Sequence, residues 1–219
     1  MNLALFDLDH TLIGFDSGMA WTQHLVGVGA LDAAAEQRYL DFCHQYVAGT
    51  LDIHAMHRAV MTPLAALEPA QLTQWRDEFA QAMAQRLSPA ARELVARHRD
   101  AGDLCAIVTA TSRWVAEPFA QAFGIAHLVA TEPVMIDGRP AGDIDGLPCY
   151  REHKPTRVEA WLAAAGLPAL AAFDASWFYS DSASDLPLLQ CVTNPVAVRP
   201  DPRLRERCLE QGWPVIDLL

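Results

Sequence analysis

Leu3-Ala4-Leu5-Phe6-Asp7-Leu8-Asp9-His10-Thr11-Leu12 is an apolar run that breaks directly into acidic residues. Four consecutive apolar side chains read as a short strand buried on both faces. Asp7 and Asp9, spaced by two, project to the same side of an extended backbone. Like charges placed together cost energy unless a cation neutralises them or one of them keeps a proton. Phosphoryl chemistry uses both remedies, since a Mg2+ ion meets the first condition and a leaving-group oxygen needs the second. Asp7 then suits a nucleophile, because a carboxylate can form an acyl-phosphate and split one hard step into two. Asp9 suits the acid that protonates a leaving alcohol and later activates water. On its own, the pair fits an ordinary acidic turn better than an active site.

Outward from this stretch the texture changes. Between Phe15 and Arg86, Ala, Leu, Gln, Trp and His recur at helical spacing, interrupted at Gly27/Gly29, Gly49-Thr50 and Thr62-Pro63. That pattern predicts about four helices and no strand, an all-helical insertion over residues 15–86. Ser88-Pro89 supplies an N-cap with proline at the first helical position, and Gly102 stops the helix that follows. Strands are expected at Leu104–Thr109, His127–Ala130, Trp177–Ser180, Asn194–Val198 and Pro214–Ile216, with helices between most of them. Residues 133–145 read as a hairpin turning at Asp137-Gly138. Strands alternating with helices predict an α/β fold, a doubly wound and mostly parallel Rossmann-like sheet. Residues 1–14 and 87–219 would form this core, with the helical insertion as a cap.

Parallel sheets of this kind bind ligands at the carboxyl ends of their strands. The second strand ends in Thr109-Ala110-Thr111-Ser112, where a hydroxyl and exposed N–H groups at a helix start make an anion site. A helix cap explains the same residues equally well. Trp177-Phe-Tyr-Ser runs into Asp181-Ser-Ala-Ser-Asp185. There Asp181 suits direct ligation of Mg2+ and Asp185 suits support behind it, because Mg2+ takes few carboxylates and several waters. Lys154 stands at a helix start, where cations are slightly disfavoured, which gives it some claim to a phosphate partner; a solvated surface lysine is the plain alternative.

Together these features are far more specific than any one of them. In the order strand-DxDxT, strand-T, Lys, strand-DxxxD, the chain resembles the haloacid dehalogenase-like superfamily, whose motifs fit FDLDHTL, AIVTAT, Lys154 and YSDSASDLPLL. The resemblance covers Leu3 to about Leu189 and is strongest to the phosphoserine-phosphatase branch, whose helical cap lies between the first two motifs. It implies that Asp7 is nucleophile and metal ligand, and that Asp9 is acid/base and ligates metal through its carbonyl. It also implies that Thr109 contacts the transferred phosphoryl group with the Ala110 backbone beside it, that Lys154 steadies Asp7, and that Asp181 and Asp185 serve the metal. Asp9 speaks against a dehalogenase, because dehalogenases of this superfamily lack the second acid. His10 replaces a common glycine, Arg151-Glu-His153 replaces the glycine usual before the lysine, and Ser184 stands where phosphoserine phosphatases often carry Asn.

Specificity is expected from the cap. The resemblance makes Asp16 a reader of a substrate amine, and Arg58 is a candidate for a carboxylate or second phosphate. His54 and His57 share a helical face that suits a metal or, without a third ligand, solvent. Trp21, Trp75, Trp114 and Trp161 sit at helical positions and read as packing. Lys+Arg 16 against Asp+Glu 27 gives a formal net charge of −11, which disfavours nucleic acid and anionic lipid as partners. Mean hydropathy is +0.08, and no apolar run approaches the roughly 20 residues of a membrane helix. The acidic start carries no signal-peptide pattern. Five separated cysteines without a C-x-x-C pair predict buried free thiols and a cytoplasmic location. The expected activity is Mg2+-dependent hydrolysis of a small phosphorylated metabolite. Phosphoryl transfer to another alcohol, or phosphate-ligand binding without catalysis, are the alternatives on the same fold.

Overall fold

In the computed structural model, which describes residues 1–218, the opening run is strand β1, Leu3–Phe6, with all four side chains buried. Its period of two divides the core. Ala4 and Phe6 face one hydrophobic cluster, while Leu3 and Leu5 face another on the opposite side of the sheet. Full burial of each large side chain contributes about 1.5–3 kcal/mol, which fixes the register of the strand on both faces.

The helical stretch follows as α1 (Ser17–Gly27), α2 (Ala34–Ala48), α3 (Ile53–Met61) and α4 (Pro69–Ala84), with a 3-10 turn at Thr62–Ala66 between the last two. Next come α5 (Pro89–Asp100), β2 (Leu104–Ser112), α6 (Arg113–Phe123), β3 (His127–Thr131), β4 (Pro133–Ile136) and β5 (Arg139–Ile144). The chain closes with α7 (His153–Ala164), β6 (Ser176–Ser180), α8 (Leu186–Leu189), β7 (Asn194–Val198), α9 (Pro202–Gln211) and β8 (Val215–Ile216). Ser88 caps α5 by accepting from the Ala90 N–H, as its sequence predicts. Strand β2 runs further than expected, to Ser112, and α8 stops at Leu189, short of Cys191.

Six strands form one sheet in the order β3-β2-β1-β6-β7-β8, and every pair in it is parallel. Helices α5 and α6 cover one face, and α7, α8 and α9 cover the other. This is the expected doubly wound α/β architecture. Strands β4 and β5 pair antiparallel as a separate hairpin. Its turn places Asp137 at φ 49° and Gly138 at φ 77°, the left-handed pair that a two-residue hairpin needs.

Helices α1 and α4 share the core of the sheet. Trp21 of α1 meets Phe79 of α4 edge-on at 5.2 Å, and Phe79 meets Phe119 of α6 at 5.8 Å. Trp75 and Trp114 pack against the same cluster and Trp161 against the other, so the tryptophans are packing residues. Helix α2 lies further out and buries only Ala35 and Tyr39. All five cysteines are free. Cys105, Cys149 and Cys208 are buried, but Cys43 is half-buried and Cys191 is exposed, contrary to the expectation of interior thiols. Cys191 lies just past the short α8, with its side chain outward between the buried Leu189 and Val192. Among the described residues no helix is long and apolar enough to cross a membrane.

Gly18 permits the approach of α1 to α2: a Cβ there would stand 2.1 Å from the hydroxyl of the buried Tyr39. Gly18→Ala is expected to lower stability by about 1–3 kcal/mol in urea unfolding, the usual cost of overpacking. Wild-type stability in that variant would mean that the Tyr39 ring has room to withdraw.

Candidate active site

Register brings the site together. Phe6 pairs with Ile107 on one side and with Tyr179 on the other, so Asp7 and Asp181 emerge at neighbouring strand ends with Thr109, in the second half of β2, beside them. The pairing of β2 with β3 shifts between Val108 and Ser112. That irregularity frees the backbone around Thr109–Thr111 at the point where a ligand would approach.

Lys154 crosses from the start of α7 beneath this edge. Its ammonium lies 2.9 Å from Asp7 Oδ1 and 2.7 and 2.8 Å from the two oxygens of Asp185, with the lysine side chain only 3% exposed. Burial alone would push the lysine pKa down, but Asp185 and Asp7 outweigh it and raise it well above the ordinary value. The residues before Lys154 reach this position without the usual glycine, because Arg151 adopts φ 50° itself. His10 does the same at φ 57°, where the family motif commonly has glycine.

Thr11 ties the two acidic strand ends together. Its hydroxyl lies 3.3 Å from Asp7 Oδ2 and 3.2 Å from Asp181 Oδ1, and it accepts the Asp181 N–H at 3.0 Å. Asp9 is held by two donors, the Ser17 N–H and the Thr111 hydroxyl, each at 2.6 Å. The first lies at the N-terminus of α1, whose dipole favours a carboxylate. Thr109 accepts from the Thr111 N–H at 3.1 Å, which leaves its own proton available to a ligand. Thr11, Ser17 and Thr111 had no assigned role in the sequence. The two threonines stand inside the quoted motifs, but their partners lie across the fold.

The electrostatics are those of crowded, buried acids. Asp7 is pushed up to about 7, chiefly by burial and further by Asp185 and Asp9, with Lys154 pulling the other way. Asp181 rises to about 8, again first by burial and then by Asp7 and Asp185. One buried ammonium thus faces three buried or nearly buried carboxylates. The donor set fits a hard divalent cation: Asp7 and Asp181 would supply carboxylate oxygens and Asp9 its carbonyl, with water completing the shell. No ready-made cage of three His, Cys, Asp or Glu side chains exists among the described residues, and Mg2+ does not ask for one.

Above these residues opens a cavity of about 870 Å³. Asp7, Asp9, Asp16, Thr109, Ala110, Lys154 and Asp181 all line it, together with an apolar wall from α2 and α3. Asp16 caps α1 by accepting from the Met19 N–H at 2.7 Å, and it also accepts from Tyr39 Oη at 2.7 Å. Burial, then Asp9, pushes it up to about 6. Arg58 is not brought to the cavity. It turns outward, 3.9 Å from Asp143 of the hairpin, because the inward face of α3 is taken by His57, Met56 and Val60. His57 bonds through Nδ1 to the Gly142 carbonyl at 2.8 Å and so holds the hairpin, and among the described residues no group of three metal-ligating side chains forms around it or His54.

A family model for haloacid dehalogenase-like hydrolases matches residues 4–190. The chain belongs to that family and is an enzyme of it. Among its relatives, the histidinol-phosphatase of Neisseria meningitidis serogroup C is 40% identical over 219 residues, spanning 99% of this chain and 98% of that protein. A crystal structure of a Bordetella pertussis Tohama I protein of unknown function is 45% identical, with a TM-score of 0.92 over 100% of this chain and 99% of that one. A substrate-bound phosphoserine phosphatase shares the fold, with a TM-score of 0.67, 18% identity and coverage of 94% and 89%.

Removing Lys154 would strand Asp7 and Asp185 without their cation. Lys154→Met is expected to cost about 3–5 kcal/mol in urea unfolding at neutral pH. Adding Asp185→Asn should recover part of that loss. If the single variant were as stable as wild type, the ammonium would not be balancing the cluster.

Proposed function

We propose that this enzyme is a Mg2+-dependent phosphatase that hydrolyses a small phosphomonoester through a phospho-aspartate on Asp7. The observation that carries the reading is the Lys154 ammonium held between Asp7 and Asp185 at the floor of the cavity. Thr109 and the Ala110 backbone would grip the phosphoryl oxygens beside Lys154. Asp7 would attack phosphorus as the ester P–O bond breaks, and Asp9 would deliver the proton to the departing oxygen. Asp9 would then take a proton from the water that attacks the phosphoryl group, freeing phosphate and restoring Asp7. Its two donors, Ser17 and Thr111, keep that carboxylate aimed through both halves. Bound Mg2+ would supply positive charge opposite the phosphoryl oxygens, where negative charge gathers in the transition state.

The cavity also bears on the substrate. Glu152 and Asp201 line it. Phe42, Tyr46, Leu51, Met56 and Val60 give it an apolar and aromatic wall, and Asp16, beside Tyr39 of the same wall, gives it a part-buried carboxylate. A phosphorylated amino alcohol with a flat or apolar body suits both, its ammonium against Asp16. Histidinol phosphate is such a molecule, and the name of the Neisseria relative agrees. Free thiols throughout accord with a cytoplasmic setting.

The wild-type enzyme is expected to release phosphate from p-nitrophenyl phosphate only with Mg2+, and to be stabilised by Mg2+ in thermal melts. Asp7→Asn should abolish turnover with an unchanged circular dichroism spectrum; an Asn variant as active as wild type would sink the mechanism. A second outcome follows from Asp16. Because its pKa is raised to about 6, it gains a proton and loses its charge as pH falls through that value. KM for an amine-bearing substrate should therefore climb below pH ~6, whereas KM for p-nitrophenyl phosphate, which has no amine, should lack that step. Identical pH profiles for the two substrates would remove Asp16 from recognition.

A further inference from the structure

Helix α2 meets the cavity along one stripe. Tyr39, Phe42, Cys43 and Tyr46 all line it, at the spacing that stacks side chains on one helical face. The two tyrosines, two turns apart, end in directed hydrogen bonds. Tyr39 donates to Asp16 at its own end of the helix. Tyr46 crosses the cavity to the turn that follows β6.

There three hydroxyls close a ring. Tyr46 Oη donates to Ser182 Oγ at 2.9 Å, and Ser182 Oγ donates to Ser184 Oγ at 3.1 Å. Ser184 Oγ lies 2.7 Å from Tyr46 Oη. With the tyrosine proton committed to Ser182, Ser184 is the donor in this third bond. Within the ring every hydroxyl then gives one bond and takes one, an arrangement in which the bonds strengthen one another, and Ser182 Oγ also accepts the Ser184 N–H at 3.2 Å. The ring is wired to the reacting centre: the Ser182 N–H donates to Ser180 Oγ at 3.2 Å, and Ser180 Oγ donates to Asp185 Oδ2 at 2.7 Å. Asp185 holds Lys154, which holds Asp7. The Tyr46 ring also packs at 5.9 Å from that of Tyr150, in the segment that leads to Lys154. Tyr46 therefore touches the segments that deliver Asp185 and Lys154, two of the three that meet in the buried ion cluster.

We infer that Tyr46 is a positioning residue, whose hydroxyl latches α2 to the Ser182–Ser184 turn and thereby sets Asp185 and Lys154 around Asp7. The inference rests on the phosphatase reading for its kinetic consequence. Placement of α2 over the cavity and alignment of the nucleophile become one event, because the same three hydroxyls do both. Burial beside Asp185 keeps the phenol protonated far above neutral pH, so it serves as a neutral donor throughout the working range.

A double-mutant cycle tests this. Tyr46→Phe keeps the ring and deletes the hydroxyl, and Ser184→Ala deletes its partner. Each is expected to lower kcat on p-nitrophenyl phosphate about tenfold, or about 1.4 kcal/mol, with KM within about twofold of wild type. The double variant should fall about tenfold as well, since both changes break one ring. Hydrogen exchange of the Ser182–Asp185 amides should quicken about tenfold in Tyr46→Phe, while the β3 amides stay unchanged. Wild-type kcat in Tyr46→Phe, a roughly hundredfold loss in the double variant, or unchanged exchange at Ser182–Asp185 would each overturn the latch. If the wild-type enzyme released no phosphate from any ester, the phosphatase reading would fail, and the exchange measurement would still decide whether Tyr46 holds the turn.

Discussion

Everything at the carboxyl edge of the sheet is arranged around one buried ammonium. Lys154 is 3% exposed and carries the full cost of leaving water, a cost that only close anionic partners offset. Asp7 and Asp185 are those partners, and once they are buried they need the lysine as much as it needs them. Asp181 then adds a third carboxylate that the lysine does not reach. Burial first, and then Asp7 and Asp185, push its pKa up, while burial, with Asp185 and Asp9, raises that of Asp7 against the pull of Lys154. Lys154 alone thus leaves this cluster short of positive charge, at the place where the proposed reaction would bring a phosphoryl dianion. A divalent cation and a single lysine together supply what neither supplies alone, which is why the metal reading and the phosphate reading support each other.

The sheet makes this cluster possible because it ignores chain order. Strands β2, β1 and β6 are neighbours in space though their sequences are far apart. All are parallel, so their acidic and hydroxylic ends meet at one edge. Each ends in a polar residue just where the apolar run stops, since a side chain past the last buried position must find water, a ligand or a partner. Thr11 uses the adjacency of β1 and β6 directly, bridging Asp7 and Asp181 across 170 residues of chain.

That geometry explains what the sequence discloses and what it hides. Asp7, Asp9, Thr109, Asp181 and Asp185 could be picked out because they lie at or just past apolar strand-like runs, and Lys154 because it opens a helix; the fold brings all six to one cavity, though their roles remain the proposal. The hairpin turn was legible for the same reason, through Asp137-Gly138. Thr11, Ser17 and Thr111 were not, because a hydroxyl or an N–H acquires its role from a partner that only tertiary structure supplies. Arg58 misled for the converse reason. Which face of α3 points inward is decided by the hairpin packed on it, and a nine-residue helix carries too few apolar positions to announce that choice. Tyr46 carries no local signal at all, because its serine partners lie 136 and 138 residues away along the chain.

Asp16 shows how closely the helical segment is bound to the chemistry beneath it. As the N-cap of α1 its carboxylate satisfies the Met19 N–H, and the adjacent Ser17 N–H, one residue further into the helix, is given to Asp9. The start of α1 therefore serves two carboxylates at once, one facing the cavity and one facing the reacting centre. The helix dipole favours both, and Asp9 raises the cost of ionising Asp16. A cationic group entering between Asp16 and the aromatic wall would relieve that repulsion where the helix end alone cannot. The tyrosine stripe of α2 lies over the same space, with Tyr39 on Asp16 and Tyr46 on the serine turn. An occupant of the cavity would thus be linked, through two hydroxyls of one helix, to both the carboxylate proposed to recognise it and the cluster proposed to act on it.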